Sequence, residues 1–280
     1  MIWKVCRFKL IMACLLVGFG VWPGILPAKT VETAAAVVSL DYCADQYVLK
    51  LLSADRIKAL SPDAVREFSY MRQAALDHPS VKPTAEEVIA RKPDLIVRTY
   101  GGGPNASHFF KRLGIPVLQI GYSNSVDSVK EVMLDVSSKL GVAEVGVQIV
   151  ADMNSRMAAL PRIRQQTLLY VTPGGITGGQ GTLIDSMIEI AGLQNFQERG
   201  GWQSLPLEDL AYNKPELFAT AFYNDKTNHR NFWSAARHPV IREQLAVTRY
   251  VNLQGATTAC GGWFIVDAIE KLASEAGSSQ

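Results

Sequence analysis

The segment TAEEVIARKPDL at residues 84–95 returns as PLEDLAYNKPEL at residues 206–217, and this internal echo constrains the fold more than any other feature of the chain. Glu86/Glu208, Lys92/Lys214, Pro93/Pro215 and Leu95/Leu217 are identical, while Glu87/Asp209, Val88/Leu210 and Asp94/Glu216 keep their chemical type. Each copy opens on an acid pair, where a helix N-terminus favours negative charge by ~0.3–1 kcal/mol. Each is stopped by a proline, which cannot continue the helical hydrogen-bond ladder, and an apolar run follows. A helix halted just before a buried strand, met twice, predicts two similar α/β units.

The surrounding pattern agrees. VVSL (37–40), RIKALS (56–61), DLIVRT (94–99) and PVLQIG (116–121) read as strands, being rich in branched residues and bounded by Pro, Gly or Asp. Between them CADQYVLKLL, TAEEVIARK and ASHFFKRLG carry apolar residues at helical spacing. The second half repeats the plan with TLLYVT (167–172), LFATAFY (217–223) and TRYVNL (248–253), and helices near 181–192, 206–214, 231–245 and 262–276. Strand and helix in alternation predict mainly parallel sheets covered on both faces, hence an α/β fold of two small lobes, one over residues 37–141 and one over 163–280. Residues 125–160 have no strand signal. Gly141 divides them, and the second part predicts a long interlobe helix over 142–162 that resists bending far more than a glycine-rich hinge, so the lobes are expected to rock by a small angle.

Residues 1–28 have the layout of an export signal: a basic start at Lys4, Arg7 and Lys9, the apolar LIMACLLVGFGVW, then LPA, with Ala34, Ala35 and Ala36 a second place for cleavage. The apolar run is shorter than the ~20 residues a spanning helix needs. Its removal takes the formal charge from +2 to −1 and takes Cys6 and Cys14 with it. Met12 and the position of the apolar run make IMAC a poor lipoprotein box, so a soluble periplasmic protein is expected. Charges nearly cancel with no run of one sign, which argues against nucleic acid as a partner.

Over essentially the whole mature chain, the residues resemble the substrate-binding proteins of ABC importers for iron–siderophore complexes and cobalamin, the class with two lobes joined by one rigid helix. VVSLDYCADQYVLKLL resembles the family's opening strand and helix, EEVIARKPDLIV its N-lobe signature, GTLIDSMIEIAGLQNF with PLEDLAYNKPEL the matching part of the C-lobe, and CGGWFIVDAIEKLA its closing helix. The resemblance implies a monomer that captures a small-molecule metal chelate in the interlobe cleft, without catalysis or a resident cofactor, and delivers it to a permease dimer with its ATPase at the inner membrane. It also implies that Glu86 and Glu208 dock into arginine pockets of that permease. Trp202 matches an aromatic that cobalamin-binding members place in the cleft, but its first-lobe counterpart is Ser80, which weakens the cobalamin assignment.

Ligands of open parallel sheets lie beyond the carboxyl ends of the strands. That rule gives loops at Asp41-Tyr42-Cys43, Arg66 to Tyr70, Tyr100 to Gly103, Gly178 to Gly181, Tyr223-Asn224 and Cys260 to Trp263. Tyr42, Tyr70, Tyr100, Tyr223 and Trp263, with Trp202 and Gln180, are the expected lining, although each aromatic could equally fill a core. Arg66, Arg98 and Arg237 could neutralise a carboxylate-rich ligand, with Arg66 first because it lies on a loop.

His78, His108, His229 and His238 are scattered and form no i, i+4 pair, so no directly bound metal is expected and any metal should arrive inside its chelator. Haem is a further candidate through Tyr42 or Tyr100, since tyrosinate ligates ferric iron. Cys43 and Cys260 admit a disulfide, two inert thiols or a soft ligand pair. GGQGT and YGGGP lack the Lys-Ser/Thr of a phosphate loop and the spacing of a dinucleotide fingerprint, and no GxSxG occurs. A Rossmann-like oxidoreductase is therefore the remoter alternative, and an exported bilobed sensor or interaction domain the nearer one.

Overall fold

The structure, a computed structural model, describes residues 34–222 and 238–277. The export segment at 1–28 and the candidates Tyr223, His229 and Arg237 lie outside the described residues. The first lobe runs β1 (Val37–Ser39), α1 (Tyr42–Leu51), β2 (Ile57–Ala59), α2 (Arg72–Ala75), α3 (Ala85–Ala90), β3 (Leu95–Arg98), α4 (Ala106–Arg112) and β4 (Val117–Gln119). Two helices follow, α5 (Val126–Lys139) and α6 (Ala143–Ala158). The second lobe comprises β5 (Thr167–Val171), β6 (Ile176–Gly178), α7 (Leu183–Ile190), β7 (Gln194–Asn195), β8 (Trp202–Ser204), α8 (Leu207–Tyr212), β9 (Leu217–Phe222), α9 (Pro239–Val247), β10 (Tyr250–Gln254) and α10 (Ile265–Gly277).

The first sheet is ordered β2-β1-β3-β4 and the second β7-β5-β9-β10, every pairing parallel. Counted within each sheet, both have the order second, first, third, fourth. The echoed segments are α3 leading into β3 and α8 leading into β9, the same step in each. Their acids do the same work: Asp94 accepts from the Ala35 N–H at 3.2 Å and Glu216 from the Thr167 N–H at 3.0 Å, each holding the entry to its lobe's first strand.

Side chains alternate across each strand, and the alternation divides the core. Val37, Leu95 and Val97, with Leu168, Tyr170 and Ala219 of the other sheet, belong to one continuous core that also takes in α5, α6 and α10. Val38, Leu40 and Ile96 pack outward with Phe110 of α4, and Leu169, Val171 and Phe218 outward with Ile241 of α9. The lobes thus share their inner layer and keep separate outer ones. Helices α5 and α6 approach closely at Gly146, where a Cβ would fall 1.9 Å from Ser137 Oγ. Helix α6 packs in turn on α10. Among the described residues no helix is long and apolar enough to cross a membrane.

Candidate functional site

The site begins with Asp41, which follows β1 and caps α1 by accepting the Ala44 N–H at 3.0 Å. The same buried carboxylate accepts the N–H groups of Thr99, Tyr100 and Gly101 at 2.8, 3.0 and 2.8 Å, and the Thr99 hydroxyl. One side chain thereby fixes two loops at the carboxyl end of the first sheet. Gly101 lies so close to β1 that a Cβ would meet Leu40 O at 2.2 Å, so this glycine serves packing of backbone on backbone.

The two loops present Tyr42 and Tyr100, ring centroids 6.1 Å apart and edge to face, with Phe68 4.6 Å from Tyr42 on the other side. Burial, chiefly, raises the pKa of both phenols; Asp41 and Asp63 add to this, while the hydrogen bond between the two hydroxyls lowers Tyr42 and raises Tyr100. Both are therefore neutral at physiological pH. The β4 exit, from Gln119 to Ser123, completes this wall with Tyr122, which is 79% exposed. Opposite stand Leu183 and Ile184 of α7, Trp202 of β8, and the loop from Thr258 to Gly261. Trp202 reaches the cleft because β8 pairs antiparallel with β6, setting it opposite Gly178. Between the walls lies a cavity of ≈ 440 Å³. Among the described residues that line it, none has a charged side chain.

Below the cavity the lobes are joined directly. Cys43 of α1 and Cys260 of the second lobe form a disulfide, Cα atoms 5.6 Å apart, and both line the cavity. Tyr47 donates to Gly261 O at 3.0 Å and Lys50 Nζ lies 5.5 Å from the Trp263 ring. Tyr70 stacks on Phe264 at 4.6 Å and donates to Asp267 Oδ2 at 2.6 Å, and its hydroxyl pKa is pushed up to about 12 by burial and by Asp267. From α6, Arg156 bonds Asp267 at 2.7 Å and Glu270 through two nitrogens.

Of the residues expected to meet a ligand, the structure brings together Tyr42, Tyr100 and Trp202. Tyr70 and Trp263 are used in the junction below; Trp263, only 9% exposed, packs edge-on against Tyr47 and Tyr70. Gln180 is on the exposed turn after β6, where it bridges Gly200. Arg66 is an exposed partner of Asp63 at 3.9 Å. Arg98 is buried under α4, donating to Ser107 Oγ and Tyr100 O. None of these five lines the cavity. Sequence reasoning missed Tyr122, Thr99 and Gln119, yet the strand-end rule that found Tyr100 applies equally to the exit of β4. Glu86 and Glu208 are exposed in the first turns of α3 and α8, while Glu87, beside Glu86, is occupied by the Lys82 N–H at 3.1 Å. His238 caps α9 through Nδ1.

Comparison with known proteins gives a consistent fold. A periplasmic binding protein from Veillonella parvula superposes with a TM-score of 0.69 at 17% identity, covering 87% of this chain and 91% of its own. A periplasmic heme-binding protein from Pseudomonas aeruginosa gives 0.64 at 20%, covering 88% and 94%. The periplasmic vitamin B12 binding protein BtuF of Vibrio cholerae gives 0.60 at 19%, covering 88% and 99%. No curated protein matches by sequence. The family model described as periplasmic binding protein matches residues 37–221, about two thirds of the chain. On that match, and with the two-lobed parallel architecture described above, the chain belongs to the periplasmic binding protein family.

Proposed function

We propose that this protein is the capture subunit of an ABC importer in the periplasm, binding a bulky metal chelate between its lobes and delivering it, as a monomer, to a permease dimer at the inner membrane. The observation that carries this reading is the cavity itself, an aromatic-walled space at the carboxyl ends of the strands whose described lining has no charged side chain. A flat chelate with an apolar body can lie against Trp202, Tyr42 and Tyr122, while Thr99, Gln119 and Thr258 offer hydrogen bonds. Among the described residues neither Arg66 nor Arg98 lines it, and a lining so rich in aromatic surface suits a ligand with a broad apolar body, such as a haem, a corrinoid or a neutral ferric siderophore. Where the iron has an open coordination site, Tyr42 or Tyr100 can ligate it by giving up its proton, so that binding would strengthen as pH rises.

Purification from medium containing iron and cobalamin, followed by absorption spectroscopy and mass spectrometry, tests the ligand class; a protein that stays colourless and empty counts against it. Delivery is tested by Glu86→Lys with Glu208→Lys. Uptake should stop while the isolated protein keeps its affinity, whereas an exported sensor would lose neither.

A further inference from the structure

The Cys43–Cys260 bond lies in the wall of the cleft, where a purely structural crosslink has no need to be. It joins the first turn of α1, next to Tyr42, to the loop that faces Tyr42 from the other lobe. Tyr47, Lys50 and Tyr70 reach residues 261–267, and Gly261 lies close to Ser123 across the cleft. Among the described residues, the sulfur bridge is the covalent tie between the rims at Tyr42 and Thr258.

We propose that this disulfide is a thiol-addressable staple that sets the width of the ligand cleft, and that a ligand in the cleft shields it. The second half rests on the capture reading above; the first does not. Reduction by a dithiol balances simply: the reductant gives two electrons and two protons and becomes a cyclic disulfide, the S–S bond breaks, and Cys43 and Cys260 each gain an S–H. A mixed disulfide with one of the two cysteines is the intermediate. With the bond gone, the rims are free to part while the deeper junction and the shared core keep the lobes assembled. Reduced protein therefore has a looser cleft and a lower affinity. Because both cysteines line the cavity, the cavity is a route for a reductant to the sulfurs, and an occupied cleft closes that route.

The folded full-length mature protein is treated with dithiothreitol and followed by hydrogen–deuterium exchange and by mass spectrometry after alkylation. Faster exchange confined to residues 41–48 and 255–262, with β3, β5 and β9 still protected, is the expected result. Unchanged exchange after complete reduction would overturn the staple, and so would a uniform rise across both sheets, which would make the bond a general stabiliser. Cys43→Ser with Cys260→Ser should reproduce the reduced pattern; should that variant not fold, reduction of the wild-type protein still decides. Shielding is read separately with gallium protoporphyrin, a redox-inert probe. At ten times its Kd mass action leaves about one molecule in eleven empty, so reduction should slow about tenfold. If the probe binds without slowing reduction, shielding is wrong. Failure of the probe, of hemin, of cyanocobalamin and of a neutral ferric hydroxamate siderophore to bind at all would break the capture reading and with it the shielding, while leaving the exchange result to judge the staple alone.

Discussion

The two lobes have the same sheet and different rims. Both sheets run in the order second, first, third, fourth, both place the echoed helix before the third strand, and both secure the first strand with the acid that follows the echoed proline. At the cleft the likeness ends. The first lobe gathers its rim loops around one buried carboxylate, Asp41, and shows phenols; the second inserts an antiparallel ribbon, β6 with β8, and shows Trp202. At the position matching Trp202 the first lobe has Ser80, which bridges Leu60 and stays out of the cavity. Packing on both faces of a parallel sheet leaves few choices of residue, whereas rim loops answer only to what they must bind.

The comparison can be broken in four places. The largest effect concerns Asp45 on α1, whose burial pushes its pKa up to about 7 against hydrogen bonds from Ser39 and Ser61. A carboxyl with a raised folded-state pKa stabilises the fold fully below about pH 4 and loses that contribution as pH rises towards 7, a change on the order of 3–4 kcal/mol. Urea denaturation at pH 4.5 and pH 8 should show this fall in the wild type. In Asp45→Asn, which mimics the protonated carboxyl, it should nearly vanish.

Next come the helix caps. Asp41→Ala would strand several buried N–H groups and should cost about 3 kcal/mol or more, along with ligand affinity. Thr182→Ala, removing the cap of the matching helix α7, should cost less, ~1–2 kcal/mol, because its hydroxyl serves the Asp185 N–H and the Gly179 carbonyl where Asp41 serves four N–H groups. Equal losses in thermal denaturation would mean that the rims are built alike after all. Trp202→Ala should weaken chelate binding by ~1–3 kcal/mol in calorimetry, whereas Ser80→Trp should leave it unaltered. The smallest effect is expected at Glu216, where Arg164, chiefly, and the Thr167 N–H hold the carboxyl below its usual pKa. Glu216→Ala removes an exposed pair and should cost under ~1 kcal/mol.

The sheets were legible because branched runs such as DLIVRT and TLLYVT have both faces buried, and each of the seven segments read as strands contains one. The break at Gly141 between α5 and α6 was legible for a similar reason, a helical apolar pattern interrupted by a residue at φ 73°. The ribbon of β6 and β8 was not: ITG and WQS are three residues long, half polar and without alternation. The five candidates that do not line the cavity show a different limit. Tyr70 and Trp263 have the size and placement of ligand-binding aromatics, but the partner that claims each comes from residues some two hundred positions away, and no local pattern records such a meeting. The disulfide is of the same kind, joining the first turn of α1 to a loop 217 residues later.

That distance has a consequence for how the molecule comes to exist. Tyr47 meets its carbonyl partner 214 residues later and Tyr70 its carboxylate 197 residues later, so the floor of the cavity is made of the contacts with the greatest loop-closure entropy to overcome. An early-folding first lobe would leave α1 and the 66–71 turn uncovered until residues 260–267 arrive. If the first lobe folds ahead of the second, the far wall of the cavity at residues 258–261 and the junction beneath it are completed only when the C-terminal segment arrives.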